Sequence, residues 1–180
     1  DLEAFAENNY SKELEDLNDV IDYFLSNTDH KNQIDPTNLT LIGHSRGGGI
    51  VVLKAAEDHR VTKVITWAAV SDFGKRTSTT GELAEWKEKG VKYVLNGRTK
   101  QQMPHNYQFY LDFKANEKRL HIESAERRLK IPHLIIHGKD DDSVSFSEAE
   151  NLHTWNSDSL LLPIKNANHV FNSQHPWNDN

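Results

Sequence analysis

The stretch that most constrains the fold runs from residue 39 to residue 56. It begins with an apolar run at 39–42, passes through Gly43-His44-Ser45-Arg46-Gly47, and ends in apolar residues with helical spacing. The first run has the length of a strand and the last favours a buried helix. A Gly-x-Ser-x-Gly sequence between a strand and a helix is typical of a nucleophile elbow, which lifts a serine hydroxyl above a sheet. The sequence therefore predicts an α/β architecture with Ser45 at such a turn.

Two further features of this turn follow from its residue types. We expect Gly43 and Gly47 both to be required, because a Cβ at either position would crowd the crossing backbone segments. The N–H of Arg46 is a candidate oxyanion-hole donor, since N–H groups at a helix N-terminus stabilise developing negative charge. A phosphate-binding loop is disfavoured because no Lys-Ser or Lys-Thr pair closes the turn.

A serine nucleophile needs a general base, and that base needs a carboxylate to orient it. Residues 132–144 form an apolar, strand-like run that ends in a glycine turn and three aspartates, any of which could point inward: Asp140, Asp141 and Asp142. A third apolar run at 160–164 leads to His169. The chain order serine, aspartate, histidine is that of α/β-hydrolases. Asp72, which follows the apolar run 64–68, is the main alternative acid.

With these motifs in place, the chain resembles the catalytic half of an α/β-hydrolase of the dienelactone hydrolase, cinnamoyl esterase and prolyl oligopeptidase-like branch. Three motifs between residues 39 and 171 carry the resemblance: Gly43-His44-Ser45-Arg46-Gly47-Gly48, His137-Gly138-Lys139-Asp140-Asp141-Asp142-Ser143-Val144, and Asn166-Ala167-Asn168-His169-Val170-Phe171. The resemblance implies a triad of Ser45, Asp141 and His169 without a cofactor. Asn166 stands where relatives often have glycine, and asparagine tolerates a positive φ.

The pattern of apolar residues predicts the order of elements. A helix is expected at 11–26 with Ser11 as its N-cap, and another at 145–156. Strands are expected near 39–43, 62–68, 133–137 and 159–164. Strands that alternate with helices predict a parallel sheet with helices on both faces, the α/β-hydrolase fold, in one domain over residues 1–180.

Residues 71–130 are too long for a simple crossover and are rich in aromatic side chains. The resemblance implies that this insertion forms a helical lid over the serine. Met103 and Tyr107, together with His44, are then candidate substrate-binding residues. The alternative is that most of the aromatic side chains form a small core of the insertion itself.

Relatives of this type have strands before the elbow, and a loop among them supplies the second oxyanion-hole donor. Residues 1–38 predict a helix and a polar loop, and His175-Pro176-Trp177 precedes no closing helix. We therefore expect a partial catalytic core whose second donor comes from outside the chain. The unpaired edge of the elbow strand would need a cover, either the N-terminal part of the same protein or a second subunit.

Composition excludes several classes of partner. Twenty-one basic and 27 acidic residues give a net charge of −6, which argues against nucleic-acid binding. None of the ten histidines lies in a His-Glu-x-x-His sequence, so no metal site is predicted. No stretch approaches the roughly 20 apolar residues that cross a bilayer. We expect a soluble, cytoplasmic protein, with a signal peptide upstream of Asp1 left open.

The leading functional hypothesis is a serine hydrolase that cleaves small-molecule carboxylic esters through an acyl-enzyme intermediate. A prolyl oligopeptidase-like serine peptidase would use the same triad. A hydrolase-fold binding module without catalytic activity is the alternative from another class.

Overall fold

The computed structural model describes residues 1–26, 32–77, 82–96 and 99–174, so the C-terminal prediction at 175–177 lies outside the described residues. The chain divides into two compact units. We call residues 22–72 and 121–180 the sheet unit, and residues 1–21 and 73–120 the hairpin unit. In chain order the elements are α1 (Leu2–Ala6), α2 (Tyr10–Ser26), β1 (Leu39–His44), α3 (Arg46–Glu57), β2 (Val61–Trp67), α4 (Gly74–Thr77), α5 (Glu82–Lys89), β3 (Val91–Leu95), β4 (Gln102–Asn106), α6 (Gln108–Ala115), α7 (Ile122–Arg128), β5 (His133–Gly138), α8 (Phe146–Trp155) and β6 (Leu160–Ile164).

The sheet unit is built on a parallel sheet. Its strand order is β1-β2-β5-β6, and each neighbouring pair is parallel. The strands predicted near 39, 62, 133 and 159 are these four, with ends shifted by at most one residue. Parallel strands place their carboxyl ends at one edge of the sheet. The loops that carry Ser45, Asp141 and His169 therefore leave the sheet from the same edge.

One face of this sheet is covered by helices of the same unit. Helix α3 contacts β1 and β2, α8 contacts β5 and β6, and α7 contacts both helices. Side chains such as Leu41, Val64 and Ile135 are buried on the covered face. The predicted parallel sheet with helices is confirmed, and in the described part of this unit α3, α7 and α8 form a layer on one side.

The opposite face, which we call the outer face, is apolar and partly open. This face carries the side chains of Ile42 and His44 on β1. It also carries those of the residues that pair with them, in register, on the neighbouring strands. Ile42 is 58% exposed, Trp67 43% and Leu160 66%. Large apolar side chains with this much exposure on one face form a patch of the kind that other chains or segments cover.

A buried polar cluster ties the helix layer to the sheet. Glu126 Oε1 accepts hydrogen bonds from Asn156 Nδ2 and from His133 Nδ1, each at 2.9 Å. The other ring nitrogen of His133 lies 2.9 Å from Thr66 Oγ1. All four residues are buried. Because hydrogen bonds between buried polar groups offset the cost of burying them, the three contacts join α7 and the end of α8 to β2 and β5, while Glu126 Oε2 is buried without a hydrogen-bond partner among the described residues.

The hairpin unit contains a β-hairpin that the residue pattern did not predict. Strands β3 and β4 pair antiparallel, with Val91 opposite Asn106 and Leu95 opposite Gln102. Aromatic side chains form the core of this unit. Tyr10 stacks on Phe73 with ring centroids 3.9 Å apart, and the ring of Phe109 contacts Tyr10 edge-on at 4.7 Å.

The boundaries of this unit differ from those of the predicted insertion at 71–130. Residues 1–21 share the unit with residues 73–120, whereas residues 121–130 belong to the sheet unit. The predicted N-cap of α2 at Ser11 is wrong. The helix begins at Tyr10, and Asn9 Oδ1 accepts the hydrogen bond from Lys12 N–H at 2.8 Å. No helix in the described ranges combines the length and apolar character that a membrane crossing requires.

Candidate active site

Ser45 occupies a strained turn between β1 and α3. Its φ of 55° and ψ of −120° lie outside the regions that residues with a Cβ ordinarily adopt. The backbone of Ser45 is fixed on both sides: its N–H donates to Trp67 O at 2.9 Å, and its carbonyl accepts from Gly48 N–H and Val70 N–H. Strain of this kind persists only where the surroundings over-determine the conformation. The predicted elbow geometry is therefore present, and β2 and the residues after it hold it.

The glycines of the elbow have different roles. A Cβ on Gly43 would lie 2.3 Å from the carbonyl oxygen of Gly47, as expected for a tight crossing. The expectation for Gly47 is wrong, because a Cβ there would have no heavy atom within 4 Å. Gly48 is the second crowded position, since its Cβ would lie 2.3 Å from the Cβ of Ala69. The carbonyl of Gly47, rather than its missing side chain, forms the close contact.

The structure brings Ser45, His169 and Asp141 together. Ser45 Oγ lies 3.1 Å from His169 Nε2, and His169 Nδ1 lies 2.8 Å from Asp141 Oδ2. With its proton on Nδ1, the imidazole donates to the carboxylate and accepts from the serine hydroxyl. The His169 side chain is 20% exposed, whereas that of Asp141 is fully buried. The imidazole thus faces accessible space while the carboxylate beside it is buried.

The carboxylate of Asp141 is fixed by its own loop. Its Oδ1 accepts hydrogen bonds from Ser143 N–H at 2.9 Å and Val144 N–H at 2.8 Å. Burial alone would raise the pKa of Asp141, but the hydrogen bonds from Val144, His169 and Ser143 outweigh it and lower the pKa below its ordinary value. Asp141 is therefore held as a carboxylate.

The neighbouring aspartates do not take this place. Asp140 and Asp142 are exposed on the same loop. Asp72, the alternative acid, lies half-buried after β2, and the acceptor for His169 Nδ1 is Asp141.

His137 contacts the loop that carries Asp141. It is fully buried on β5, and its Nε2 donates to the carbonyl of Val144 at 2.8 Å. The same nitrogen lies 3.3 Å from Asp141 Oδ2. His137 therefore has a structural role in which it also contacts the carboxylate of Asp141.

The loop that carries His169, residues 166–172, is organised by asparagine side chains. Asn166, Phe171 and Asn172 have φ angles of 56°, 54° and 62°. Asn168 Oδ1 accepts from Val170 N–H and Asn172 N–H, and Asn172 Nδ2 donates to Asn166 O at 2.8 Å. We call this segment the histidine loop. The predicted tolerance of Asn166 for a positive φ is confirmed.

Packing contacts with β5 and β2 hold the histidine loop against the sheet. A Cβ on Gly138 would lie 2.2 Å from the carbonyl oxygen of Ala167. Only glycine therefore fits where the end of β5 meets the histidine loop. The ring of Phe171 meets that of Trp67 edge-on with centroids 6.1 Å apart. Sequence reasoning missed these contacts and the asparagine network, although the Asn-rich sequence of residues 166–172 is a signal for side-chain-stabilised turns.

The predicted substrate-binding residues fall in different units. His44 is the last residue of β1, and its Nε2 lies 2.9 Å from the carbonyl oxygen of His169. Met103 lies on β4 opposite Val94, and Tyr107 precedes α6 in the hairpin unit. The ring of Tyr107 contacts Trp86 edge-on at 5.7 Å. The contact to Trp86 gives Tyr107 a packing role within its own unit.

Helix α3 begins at Arg46, directly after Ser45. The Arg46 N–H therefore lies in the first turn of a helix whose positive dipole end faces the serine. A strained serine, a histidine within hydrogen-bond distance, a buried carboxylate and a helix N-terminus are the parts that nucleophilic acyl transfer requires.

Solved structures share this fold. Est1E from Butyrivibrio proteoclasticus is similar with a TM-score of 0.70 at 18% identity, over 92% of this chain and 64% of that one. The esterase domain of a Rhodothermus marinus protein gives 0.61 at 20% identity, over 93% and 63%. A puromycin-hydrolyzing peptidase of Mycobacterium tuberculosis gives 0.59 at 15% identity, over 88% and 22%.

At these identities the likeness shows the α/β-hydrolase fold, and the chain spans a little under two thirds of the first two structures. A search of curated proteins found no match. The model of the prolyl oligopeptidase family matches residues 2–176, nearly the whole length. The chain therefore belongs to the prolyl oligopeptidase family.

Proposed function

We propose that this chain is a serine hydrolase that cleaves carboxylic esters through an acyl-enzyme intermediate. The observation that carries the proposal is the continuous hydrogen-bonded path from Ser45 Oγ through the imidazole of His169 to the carboxylate of Asp141. The strained backbone of Ser45 supports it, since strain held in place by surrounding hydrogen bonds is typical of functional residues.

In the proposed reaction, Ser45 Oγ attacks the ester carbonyl carbon while His169 Nε2 takes the hydroxyl proton. The tetrahedral intermediate collapses, the bond to the alcohol oxygen breaks, and His169 returns the proton to the departing alcohol. Water then attacks the acyl-enzyme by the same steps and releases the carboxylic acid and Ser45. Asp141 holds the imidazole in the Nδ1–H form and stabilises its positive charge.

The oxyanion of each tetrahedral intermediate needs donors. We assign one to the Arg46 N–H, in the first turn of α3 after the nucleophile. We propose that the second comes from a segment outside these 180 residues. Loss of one donor typically costs about 10² to 10³ in kcat, so we expect the chain alone to acylate slowly and to accelerate when the second donor is supplied.

A peptidase reaction is the second candidate, because the chain belongs to the prolyl oligopeptidase family. An ester and an amide that share one acyl group distinguish the two. Ester cleavage is expected to dominate because an alkoxide leaves more readily than an amide nitrogen when leaving-group protonation is imperfect. If a proline-containing amide were cleaved as fast as its matched ester, a peptidase would become the preferred function.

For the substrate, we propose a small-molecule ester. Est1E, one of the similar structures, has been solved with ferulic acid bound, which makes hydroxycinnamoyl esters a first choice to test. We propose that residues 71–130 act as a lid in which Met103 and Tyr107 select the acyl group. Met103→Ala and Tyr107→Ala should change the ratio of kcat/KM between short and long acyl esters. An unchanged ratio in both variants would remove these residues from the site.

We also propose that another polypeptide segment covers the outer face, either from the N-terminal part of the same protein or from a second subunit. Ile42, Trp67 and Leu160 are exposed there, and within the described strands β1 pairs only with β2. A sedimentation measurement of the isolated chain should detect self-association that Ile42→Lys weakens. A monomer at all concentrations, with no change in the variant, would exclude a second copy of this chain as the cover.

The decisive experiment is labelling with a fluorophosphonate, which reacts with activated serines, followed by intact mass measurement. We expect a single adduct in the wild type and none in a folded Ser45→Ala variant. Labelling of Ser45→Ala at the wild-type rate would rule out Ser45 as the nucleophile. A wild type with no adduct and no ester turnover would favour the binding-module alternative.

A further inference from the structure

His44 makes two contacts with the residue that we propose as the general base. Its Nε2 lies 2.9 Å from the carbonyl oxygen of His169. Its ring lies against that of His169, with centroids 4.7 Å apart and planes inclined by 42°. A carbonyl oxygen only accepts, so His44 must present an N–H at Nε2. His44 therefore donates a hydrogen bond to the backbone of the histidine loop.

The position of this bond matters because it joins the elbow strand to the histidine loop, and the distance between Ser45 and His169 depends on how these two segments are placed. His44 is the residue before Ser45, so it moves with the nucleophile. Its acceptor is the main chain of His169 itself, three residues before Asn172 and two before Phe171, both of which have positive φ. A backbone in these conformations relaxes unless contacts hold it.

The other described contacts of the histidine loop are internal to it, lead to the acid strand, or are the apolar ring contact between Phe171 and Trp67 on β2. The asparagine hydrogen bonds are internal to the loop. The contact of Ala167 with Gly138 ties the loop to the acid strand rather than to the nucleophile strand. The bond from His44 is the one described polar contact, besides Ser45 Oγ to His169 Nε2, that joins β1 and its elbow directly to His169.

We infer that His44 is a positioning residue, which holds the imidazole of His169 at hydrogen-bond distance from Ser45 by donating from Nε2 to the His169 carbonyl. This inference rests on the proposed function. His44 is exposed, and its Nε2 has a partner within the protein, so the inference assigns this ring edge to positioning rather than to substrate binding. The charged and titratable groups in contact with this pair are Asp141 and, behind it, His137.

The test compares His44→Gln with His44→Met. Both side chains are similar in length, but only glutamine places an N–H donor near the position of histidine Nε2. With 4-nitrophenyl acetate as the substrate, we expect His44→Met to lower kcat about tenfold with KM within about twofold, and His44→Gln to stay within about threefold of wild type. His59→Gln, an exposed histidine on the turn before β2, is the control and should not change kcat.

A spectroscopic measurement gives a readout besides turnover. The Nδ1–H proton of His169, hydrogen-bonded to Asp141, should give a resolved NMR signal in the wild type and in His44→Gln. In His44→Met the signal should broaden, because the ring is less well held.

Several outcomes would overturn the inference. Equal kcat in the wild type and His44→Met would mean that the bond does not position the base. A raised KM with unchanged kcat in His44→Met would return His44 to substrate binding. Equal losses in His44→Gln and His44→Met would assign the effect to the ring rather than to the donor. Absence of any turnover and any fluorophosphonate adduct in the wild type would instead refute the proposed function, and this inference with it.

Discussion

The buried imidazole of His137 lies behind the carboxylate of Asp141, with Nε2 3.3 Å from Oδ2. The same oxygen accepts the hydrogen bond of His169 Nδ1 at 2.8 Å. Two backbone N–H groups, from Ser143 and Val144, occupy the other oxygen. The protein therefore fixes the position of the Asp141 carboxylate and satisfies its hydrogen bonds before any substrate binds. This arrangement lowers the free-energy cost of forming an imidazolium beside it.

Asp141→Asn should lower kcat about 10³ to 10⁴-fold in ester hydrolysis. An amide removes the charge that stabilises the protonated His169, and its N–H group favours the wrong imidazole tautomer. The measurement is steady-state turnover of 4-nitrophenyl acetate, with circular dichroism to verify the fold. Asp142→Asn, at an exposed position on the same loop, is the matched control and should keep wild-type kcat. A loss below tenfold in Asp141→Asn would contradict the role of Asp141.

Asp141 should also make stability depend on pH. Its pKa in the folded chain is lowered from the ordinary value of 3.8, so its contribution is fully present above that value and is lost as the pH falls through the lowered pKa. The difference in free energy of unfolding between wild type and Asp141→Asn should therefore shrink as the pH falls from 7 to 3. Urea unfolding at several pH values measures it. A difference that stays constant over this range would mean that the pKa of Asp141 is not lowered by folding.

The three glycines of the elbow should respond differently to alanine. Gly43→Ala and Gly48→Ala should each destabilise the fold by about 1–3 kcal/mol, since their Cβ atoms would overlap Gly47 O and Ala69 Cβ. Gly47→Ala should be neutral or stabilising by up to about 1 kcal/mol, because its Cβ meets open space in the first turn of α3. Thermal unfolding of the three variants side by side is the measurement. Equal destabilisation in all three would restore the original expectation for Gly47.

The buried cluster around Glu126 should be sensitive to removal of its acceptor. Glu126→Ala leaves the donors of His133 and Asn156 unpaired in the interior, which should cost about 2–4 kcal/mol in free energy of unfolding. Glu126→Gln keeps an acceptor oxygen and should cost less. Glu123 is half-buried and pairs with the exposed Arg127 on the same helix, and it provides the comparison: Glu123→Gln should cost below about 0.5 kcal/mol. Similar losses in Glu126→Ala and Glu123→Gln would show that the cluster contributes little.

The sequence predicted the elements that rest on local pattern. The elbow strand, the acid strand and the last strand could be read from apolar runs that end in Gly43, Gly138 and a polar loop. Their parallel direction followed from the alternation of strands with helices, whereas the strand order β1-β2-β5-β6 was not predicted. Asn166 could be assigned a positive φ because its tolerance is a property of the residue itself.

What could not be predicted depends on partners distant in the chain. The crowding at Gly48 is set by Ala69, which lies beyond the next strand. The contact of His44 with His169 joins positions 125 residues apart. Tyr10 shares a core with Phe73 and Phe109, and no local pattern links residues 1–21 to an insertion that begins after β2.

The hydrogen bonds among Ser45, His169, Asp141 and His137 all close within the sheet unit. Residues 73–120 leave that unit after Asp72 and return to it at His121, and they contribute no atom to these bonds. Residues 73–120 are therefore one contiguous block that can be exchanged for the corresponding stretch of another member of the family without altering Ser45, Asp141, His169 or the groups that hydrogen-bond to them. The exchange must also preserve the packing with residues 1–21, because Tyr10 shares the core of the hairpin unit with Phe73 and Phe109.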